Sequence, residues 1–314
     1  MNTEIEVWHY ELRSGGPLNR RSGRRTVEGF LLRELGGHGC VQPWPEFGHA
    51  PVGEQLAALA AGRRTPLLDA ALRCAAVDRE FRAAGRSAFE SMNVPDSHAT
   101  IVDPETQAEA AWRAGFRVFK LKAEASDRER GRLRELVEAF PDVGLRLDFN
   151  EVPDLETFEA WWGRLGGQVR ERVDFLEDPF PFDDENWPGF GMRHGVRLAA
   201  DRRQALAVDG EADVRVIKPA WGEYESPSTR RSDEIVFTSA MDHPLGQAWA
   251  AWVAANAAEH DPGRVGLCGL QTHHLFEPDP FAGRLGPWRP QFHPPGGTGL
   301  GFDDLLAGLP WRKV

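Results

Sequence analysis

The residues of this chain that could do chemistry are charged groups set at the ends of apolar runs. In the stretch FKLK, Lys120 and Lys122 stand two apart, with Phe119 and Leu121 between and before them. In RLDFN, Arg146, Asp148 and Asn150 alternate with Leu147 and Phe149. Alternate side chains of an extended strand face opposite ways, so each stretch puts its polar residues on one face and its apolar residues on the other. Three later runs end the same way: LEDPF carries Glu177, AAD carries Asp201 and IKP carries Lys218. Asp148, Glu177 and Asp201 are 29 and 24 residues apart, about one strand-helix unit each. On consecutive strands they would meet on one rim, where three carboxylates repel unless a cation lies among them. All-oxygen ligation suits a hard ion, Mg²⁺ first and Mn²⁺ second. Singly, each carboxylate reads as well as a helix cap or surface ion pair; in register, the joint site is the better reading.

Lys122 and Lys218 come from strands on opposite sides of that rim. A lysine near a divalent cation and another ammonium is displaced toward the range useful to a general base. Lys120 either positions an anionic substrate or offsets the carboxylates. Arg146 and Asn150 belong to the inner rim, or hydrogen-bond strand ends. Ser239 and Gly269 offer a hydroxyl and a close backbone approach for a substrate carboxylate, and Gly266 and Gly269 could equally ease sheet closure. His243, His273 and His274 read as surface or capping residues, since no HxH or HExxH spacing supports a zinc site. Trp161, Trp162, Trp249 and Trp252 read as helix packing.

The elements that must position these residues alternate from Ser91 onward. The spacing predicts strands at 89–94 (FESMNV), 116–123, 144–150, 173–179, 196–201, 214–219, 234–240 and 264–270, with helices at about 103–114, 126–140, 153–166, 184–193 and 243–259. That rhythm is the signature of a parallel sheet with crossover helices. Charge confined to the C-terminal ends of successive strands is the arrangement of a (β/α) barrel site. Residues 221–233 lack apolar periodicity, so one crossover helix is missing or vestigial there. Before this lies a smaller α+β unit: strands at 4–13 and over TVEGFLLREL, Gly37, Gly39, Pro43 and Pro45 as punctuation, then helices at about 53–62 and 66–84. The expected fold is therefore α/β, a modified (β/α)₇β TIM-type barrel over 91–285, with an α+β capping domain over 1–90 on which the tail 286–314 packs back.

Net charge is −11, which disfavours nucleic acid and anionic membranes as partners. No run approaches the ~18 apolar residues of a membrane helix. Three cysteines without CxxC spacing fit reduced thiols in a cytoplasm. The expected ligand is a small-molecule carboxylate, and the sequence assigns no oligomeric state.

FKLK, RLDFN, LEDPF, AAD, IKP, FTSAM before a helix and GLCGLQTHHLF together resemble the enolase superfamily, in its muconate-lactonising branch and most closely its o-succinylbenzoate synthase family. The resemblance implies Lys122 as the base that removes an α-proton, Lys218 as a cation opposite it, and Asp148, Glu177 and Asp201 as Mg²⁺ ligands. It implies a lyase that dehydrates 2-succinyl-6-hydroxy-2,4-cyclohexadiene-1-carboxylate in menaquinone biosynthesis. N-acylamino acid racemisation and muconate cycloisomerisation are the alternatives on the same residues, and a non-catalytic barrel is a further one. The chain departs from the family at Arg202, where relatives carry Glu, and at Ser239-Ala240-Met241-Asp242, where many show Ser-Ser-x-Glu; it lacks the Asp-x-Asp of dipeptide epimerases. The basic loop 14–25 and the loop 42–50 are expected over the barrel mouth, with Arg20, Arg21, Arg24 or Arg25 meeting a distal carboxylate.

Overall fold

The structure, a computed structural model, describes residues 4–16, 18, 23–151, 153–182, 185–201, 212–222 and 234–314. The first unit is an antiparallel sheet of β1 (Ile5–Arg13), β2 (Thr26–Glu34) and β3 (Gly37–Val41), backed by α1 (Val52–Ala60) and α2 (Pro66–Ala83). The sheet is buried on both faces. Phe30, Leu32 and Val41 pack with Leu67, Leu68 and Leu72 of the helices, whereas Tyr10, Val27 and Leu31 pack toward the second unit. That double burial explains the nearly continuous apolar run at the centre of β2. The β3 strand replaces a stretch whose glycines read as loop punctuation. A Cβ at Gly37 would lie 1.9 Å from Ala75 O and one at Gly39 2.0 Å from Ala71 O, so α2 packs its backbone directly on this strand. The glycines are there for close approach rather than for a turn.

The second unit runs β4 (Ala99–Ile101), α3 (Pro104–Arg113), β5 (Val118–Lys122), α4 (Asp127–Ala139), β6 (Gly144–Asp148), α5 (Leu155–Gly163), α6 (Gly167–Arg170), β7 (Val173–Glu177), α7 (Asn186–His194), β8 (Arg197–Ala200), β9 (Val214–Ile217), β10 (Glu234–Phe237) and α8 (Pro244–His260). Its seven strands form one parallel sheet in chain order. Side-chain caps start four of the helices: Asp103, Ser126, Asp154 and His243 each accept from a backbone N–H of the first turn. The chain ends in α9 (Pro280–Arg284), α10 (Asp303–Ala307) and β11 (Arg312–Lys313), the last pairing antiparallel with β1.

Two expected strands differ. FESMNV is a series of turns with Ser91 at φ +64°, and the first barrel strand is Ala99–Ile101 instead. The segment expected as a strand at 264–270 bridges Ile235 through Val265, Thr238 through Gly269 and Ser97 through Cys268. It thereby joins the two edges of the seven-stranded sheet and closes the barrel without continuous pairing. Of the segment 221–233, residues 223–233 lie outside the described ones.

Alternation within each strand sorts the core. Phe119, Leu121, Leu145, Leu147, Leu176 and Leu198 face the helices and pack with Trp161, Trp162 and Phe190, while Phe175, Ala199, Val214, Val216 and Val236 fill the barrel. The charged side chains of β5 to β7 project on the interior face with the second set.

Candidate active site

Register brings the reactive groups level. Lys122 pairs with Asp148, and Asp148 with Glu177, across β5, β6 and β7. Asp201 and Lys218 follow directly on β8 and β9. Lys122 Nζ is bound to Asp148 Oδ2, and Lys218 Nζ to Asp201 Oδ1. Lys120 Nζ lies 2.6 Å from Glu177 Oε1 and 3.4 Å from Asp148 Oδ2. Three lysines thus interleave with three carboxylates around one centre. The turns after the strands are held in the left-handed region at Asn150, Glu151, Asp178 and Met241, with φ between 43° and 57°. Non-glycine residues there cost ~1–3 kcal/mol each and cluster at functional rims.

The groups are not equivalent electrostatically. Burial acts against charge on Lys120, but Glu177, Asp148 and Asp201 outweigh it and hold the ammonium above its ordinary value. Burial likewise opposes ionisation of Asp148, and Lys122 and Lys120 reverse it, keeping that carboxylate low. Asp201 is lowered in the same way, burial being overcome by Lys218 and Lys120. Glu177 goes the other way. Burial and then the neighbouring Asp148 push it up to about 7. Its Oε2 is buried and makes no hydrogen bond among the described residues. As they stand, no three His, Cys, Asp or Glu side chains among the described residues close around an ion, since Lys122 and Lys218 hold oxygens of Asp148 and Asp201. The donor set nonetheless fits a hard divalent cation: three carboxylates, two of them buried and one of those with an orphaned oxygen and a raised proton affinity that further positive charge would relieve.

Above them opens a cavity whose empty space, its open mouth included, is about 670 Å³. Lys120, Lys122, Asn150, Asp201, Lys218, Ser239 and Gly269, all singled out in the sequence, line it. Asp148 and Glu177 lie buried against these lysines. Arg146 does not line the cavity, which corrects its placement on the inner rim. It is 2% exposed and held by Asp174 at 2.8 Å, His98 Nδ1 at 2.9 Å and Leu267 O at 2.6 Å. Asp174 in turn binds Arg197, which reaches Glu234 at 2.6 Å, so Arg146 heads an ion-pair ladder running toward the N-terminal ends of the strands.

Residues the sequence did not single out also line the cavity, among them His98, Thr100, Thr238 and Trp221. Lys218 Nζ stands 4.8 Å over the Trp221 ring, a cation–π contact in addition to its pairing with Asp201. His243 caps α8 by accepting from Leu245 N, and burial pushes its imidazole down to about 3, so it stays neutral. His274 stacks on Trp288 at 3.8 Å; neither it nor His273 lines the cavity.

The first unit covers the mouth with Leu18, Trp44 and Phe47. Trp44 Nε1 donates to Ala240 O at 3.0 Å, and Gln42 Nε2 to Met241 O at 2.7 Å, which pins the 42–50 loop to the strained turn after β10. Arg24 pairs with Glu46 at 3.1 Å and so braces one cap loop against the other. Arg20 and Arg21 lie outside the described residues. Trp44→Phe keeps an aromatic side chain but loses the Nε1 donor, worth about 1 kcal/mol, along with part of the buried indole. The expected result is a several-fold rise in KM with kcat nearly unchanged, measured by initial rates; an unaltered KM would show that this bond does not seat the loop.

Residues 5–81 match the family model described as o-succinylbenzoate synthase, N-terminal domain, and residues 103–209 that described as enolase C-terminal domain-like. Together the two account for more than half of the chain. The chain belongs to the enolase superfamily. A protein of Bdellovibrio bacteriovorus named o-succinylbenzoate synthase is 29% identical over 99% of this chain and 98% of its own length. One of the same name from Pectobacterium atrosepticum is 26% identical over 69% of this chain and 73% of its own. Among solved structures, a dipeptide epimerase from Enterococcus faecalis, complexed with Mg and L-Leu-L-Tyr, superposes with TM-score 0.76 at 17% identity, covering 95% of this chain and 98% of the other. The L-Ala-D/L-Glu epimerase of Bacillus subtilis superposes with TM-score 0.74 at 18% identity over 96% and 98%. At those identities the superpositions speak for the fold.

Proposed function

We propose that this chain is a dehydratase of the o-succinylbenzoate synthase type, a lyase acting in the cytoplasm on 2-succinyl-6-hydroxy-2,4-cyclohexadiene-1-carboxylate for menaquinone biosynthesis. The observation that carries the reading is the placement of Lys122 and Lys218 on opposite sides of one cavity, each tied to a different carboxylate of the set of three. The full-length relative of that name supports the choice of substrate over the other acids the fold accommodates.

Asp148, Glu177 and Asp201 would hold the divalent cation, Mg²⁺ first and Mn²⁺ second, which would neutralise charge gathering on the substrate carboxylate as its α-proton leaves. The chain's own residues do the rest. Lys122 Nζ, as free amine, takes the proton from C1. The electron pair left on that carbon completes the ring's aromaticity as the C6–O bond breaks. Lys122 then returns its proton to the departing hydroxyl on the same face, so that one water is lost and o-succinylbenzoate remains. Lys218 and Lys120 stay cationic. Lys218 faces the developing enediolate from the opposite side, while Lys120, held protonated by the carboxylates, steadies the buried charge. Leu18, Trp44 and Phe47 exclude water from the mouth.

The mirrored lysine-carboxylate pairs also suit a two-base racemase, which is the second reading. Product formation followed by aromatic absorbance, beside racemisation of an N-acylamino acid followed by optical rotation, separates them. Racemisation without dehydration would overturn the first. The cation is tested independently: Asp201→Asn should weaken Mg²⁺ binding by about tenfold or more, as removal of an anionic oxygen ligand does, and lower activity with it. Calorimetric titration showing unchanged Mg²⁺ affinity would refute Asp201 as a ligand.

A further inference from the structure

His98 precedes β4 and is 1% exposed, yet it lines the cavity. Its Nδ1 lies 2.9 Å from Arg146 NH1. A guanidinium has only donors, so Nδ1 must accept, and the proton of the neutral ring is on Nε2. The Arg146 side chain that dictates this is immobile, clamped by Asp174 and Leu267 O and lying 4.5 Å over the Phe175 ring. Nε2 is buried without a hydrogen-bond partner among the described residues, and so is Thr238 Oγ1 nearby on the barrel wall. A Cβ on Gly269 would sit 2.6 Å from His98 Nε2 and 2.9 Å from Thr238 Cγ2, so only glycine leaves both groups in place.

We infer that His98, fixed as the Nε2–H tautomer by Arg146, and Thr238 form a floor subsite that donates hydrogen bonds to an anionic oxygen of the bound substrate. An N–H buried without an acceptor is costly, and a ligand oxygen recovers that cost on binding. The preference for an anion follows from the neighbours. Burial, then Arg146 and Lys120, keep the imidazole from charging, and the same two cations make the surrounding potential positive. The subsite therefore favours a carboxylate oxygen over a neutral carbonyl. Arg146, which does not reach the cavity, acts as the positioning residue for this donor.

The inference rests on the proposed function only for the choice of probe, o-succinylbenzoate. Wild-type protein labelled with ¹⁵N-histidine, with His98 assigned from the signal lost in His98→Phe, is read by long-range ¹H–¹⁵N correlation before and after adding the probe. The expected spectrum has a protonated Nε2 and an unprotonated Nδ1, and the Nε2–H resonance shifts on saturation. A protonated Nδ1 would overturn the inference, as would an Nε2–H that the probe leaves unmoved, whether because a trapped water satisfies it or because the ligand lies elsewhere. In rates, His98→Phe should raise KM about tenfold with a smaller change in kcat, whereas His98→Gln, which keeps a donor at the Nε2 position, should stay within about threefold of wild type. Equal KM values for the two variants would also refute it. Dehydration with an unmoved Nε2–H would sink the subsite alone; a shifted Nε2–H without dehydration would sink the assigned reaction alone.

Discussion

Lys122→Ala is expected to abolish dehydration by two to four orders of magnitude, the usual worth of a positioned general base. Three lysines reach the site, and the structure separates their roles. Lys120 is pinned between Glu177 and Asp148 and held protonated, so it cannot accept a proton. Lys218 is flanked by Asp201 and the Trp221 face, a setting that stabilises a cation. Lys122 sits at the end of β5, paired with Asp148. Asp148, Glu177 and Asp201 would hold the cation, and with Asp148 so engaged Lys122 is the amine placed to act as base. The alanine variant should still fold, because Lys122 is half-buried at a cavity wall rather than in the core. Lys218→Arg, by contrast, keeps a charge and should slow the reaction without stopping proton removal. The check is deuterium incorporation from D₂O at the α-carbon of an N-acylamino acid, where aromatisation does not hide exchange, followed by NMR beside the dehydration rate. Exchange at the wild-type rate in Lys122→Ala but not in Lys218→Arg would reverse the two assignments.

The face of each strand was legible in the sequence because strand periodicity is local: two residues separate Lys120 from Lys122 and Arg146 from Asp148 whatever the rest of the chain does. What lies across from a side chain is not local. Arg146 shares its face with Asp148, yet Asp174 and the carbonyl of Leu267 lie within reach of the first, and neither belongs to a motif that points at it. His98 was passed over for a related reason. With FESMNV read as the first barrel strand, SHAT falls in a connection, although a histidine directly before the short stretch ATI, on a chain whose other strands carry their function in polar residues, is the available signal. The closing segment around Cys268 has the alternation of a strand but pairs through single bridges, because Gly266 and Gly269 lie against the side chains of Glu234 and His98, where backbone approach matters more than regular pairing. Likewise β3 was hidden by the glycines that let α2 approach it. Periodicity reports which face is apolar, and close packing of backbone on backbone leaves no apolar pattern to report.

Asp78→Ala should be the most destabilising single change outside the site, by about 3–5 kcal/mol, the cost of breaking a buried ion pair by removing one partner. Asp78 is fully buried on α2 and accepts from His38 N at 2.8 Å, His38 Nδ1 at 2.9 Å, Arg82 Nε at 2.6 Å and Leu300 N at 2.7 Å. Arg82 continues to Asp303 at 2.5 Å and Gly301 O at 2.7 Å. One carboxylate thus joins β3, α2 and the turn before α10, segments far apart in sequence that together hold the cap's sheet over the barrel. Alanine removes the acceptor of four donors at once. The pH dependence has a definite sign. Burial alone would raise Asp78, but the hydrogen bond from His38 and the charge of Arg82 prevail and hold it below its ordinary value. A carboxylate lowered in the folded state adds stability that is complete above its unfolded pKa and is lost as pH falls through the folded one. The gap in urea midpoint between wild type and Asp78→Ala should therefore be widest near neutrality and narrow below about pH 4, where the unfolded chain begins to take up the proton. Because the cap carries Leu18, Trp44 and Phe47 to the cavity, the same variant should raise KM at urea concentrations where wild type is unaffected. A midpoint gap that stays constant down to pH 3 would mean that Asp78 acts through its shape and not its charge, and a variant as stable as wild type at pH 7 would remove it as the joint between cap and tail.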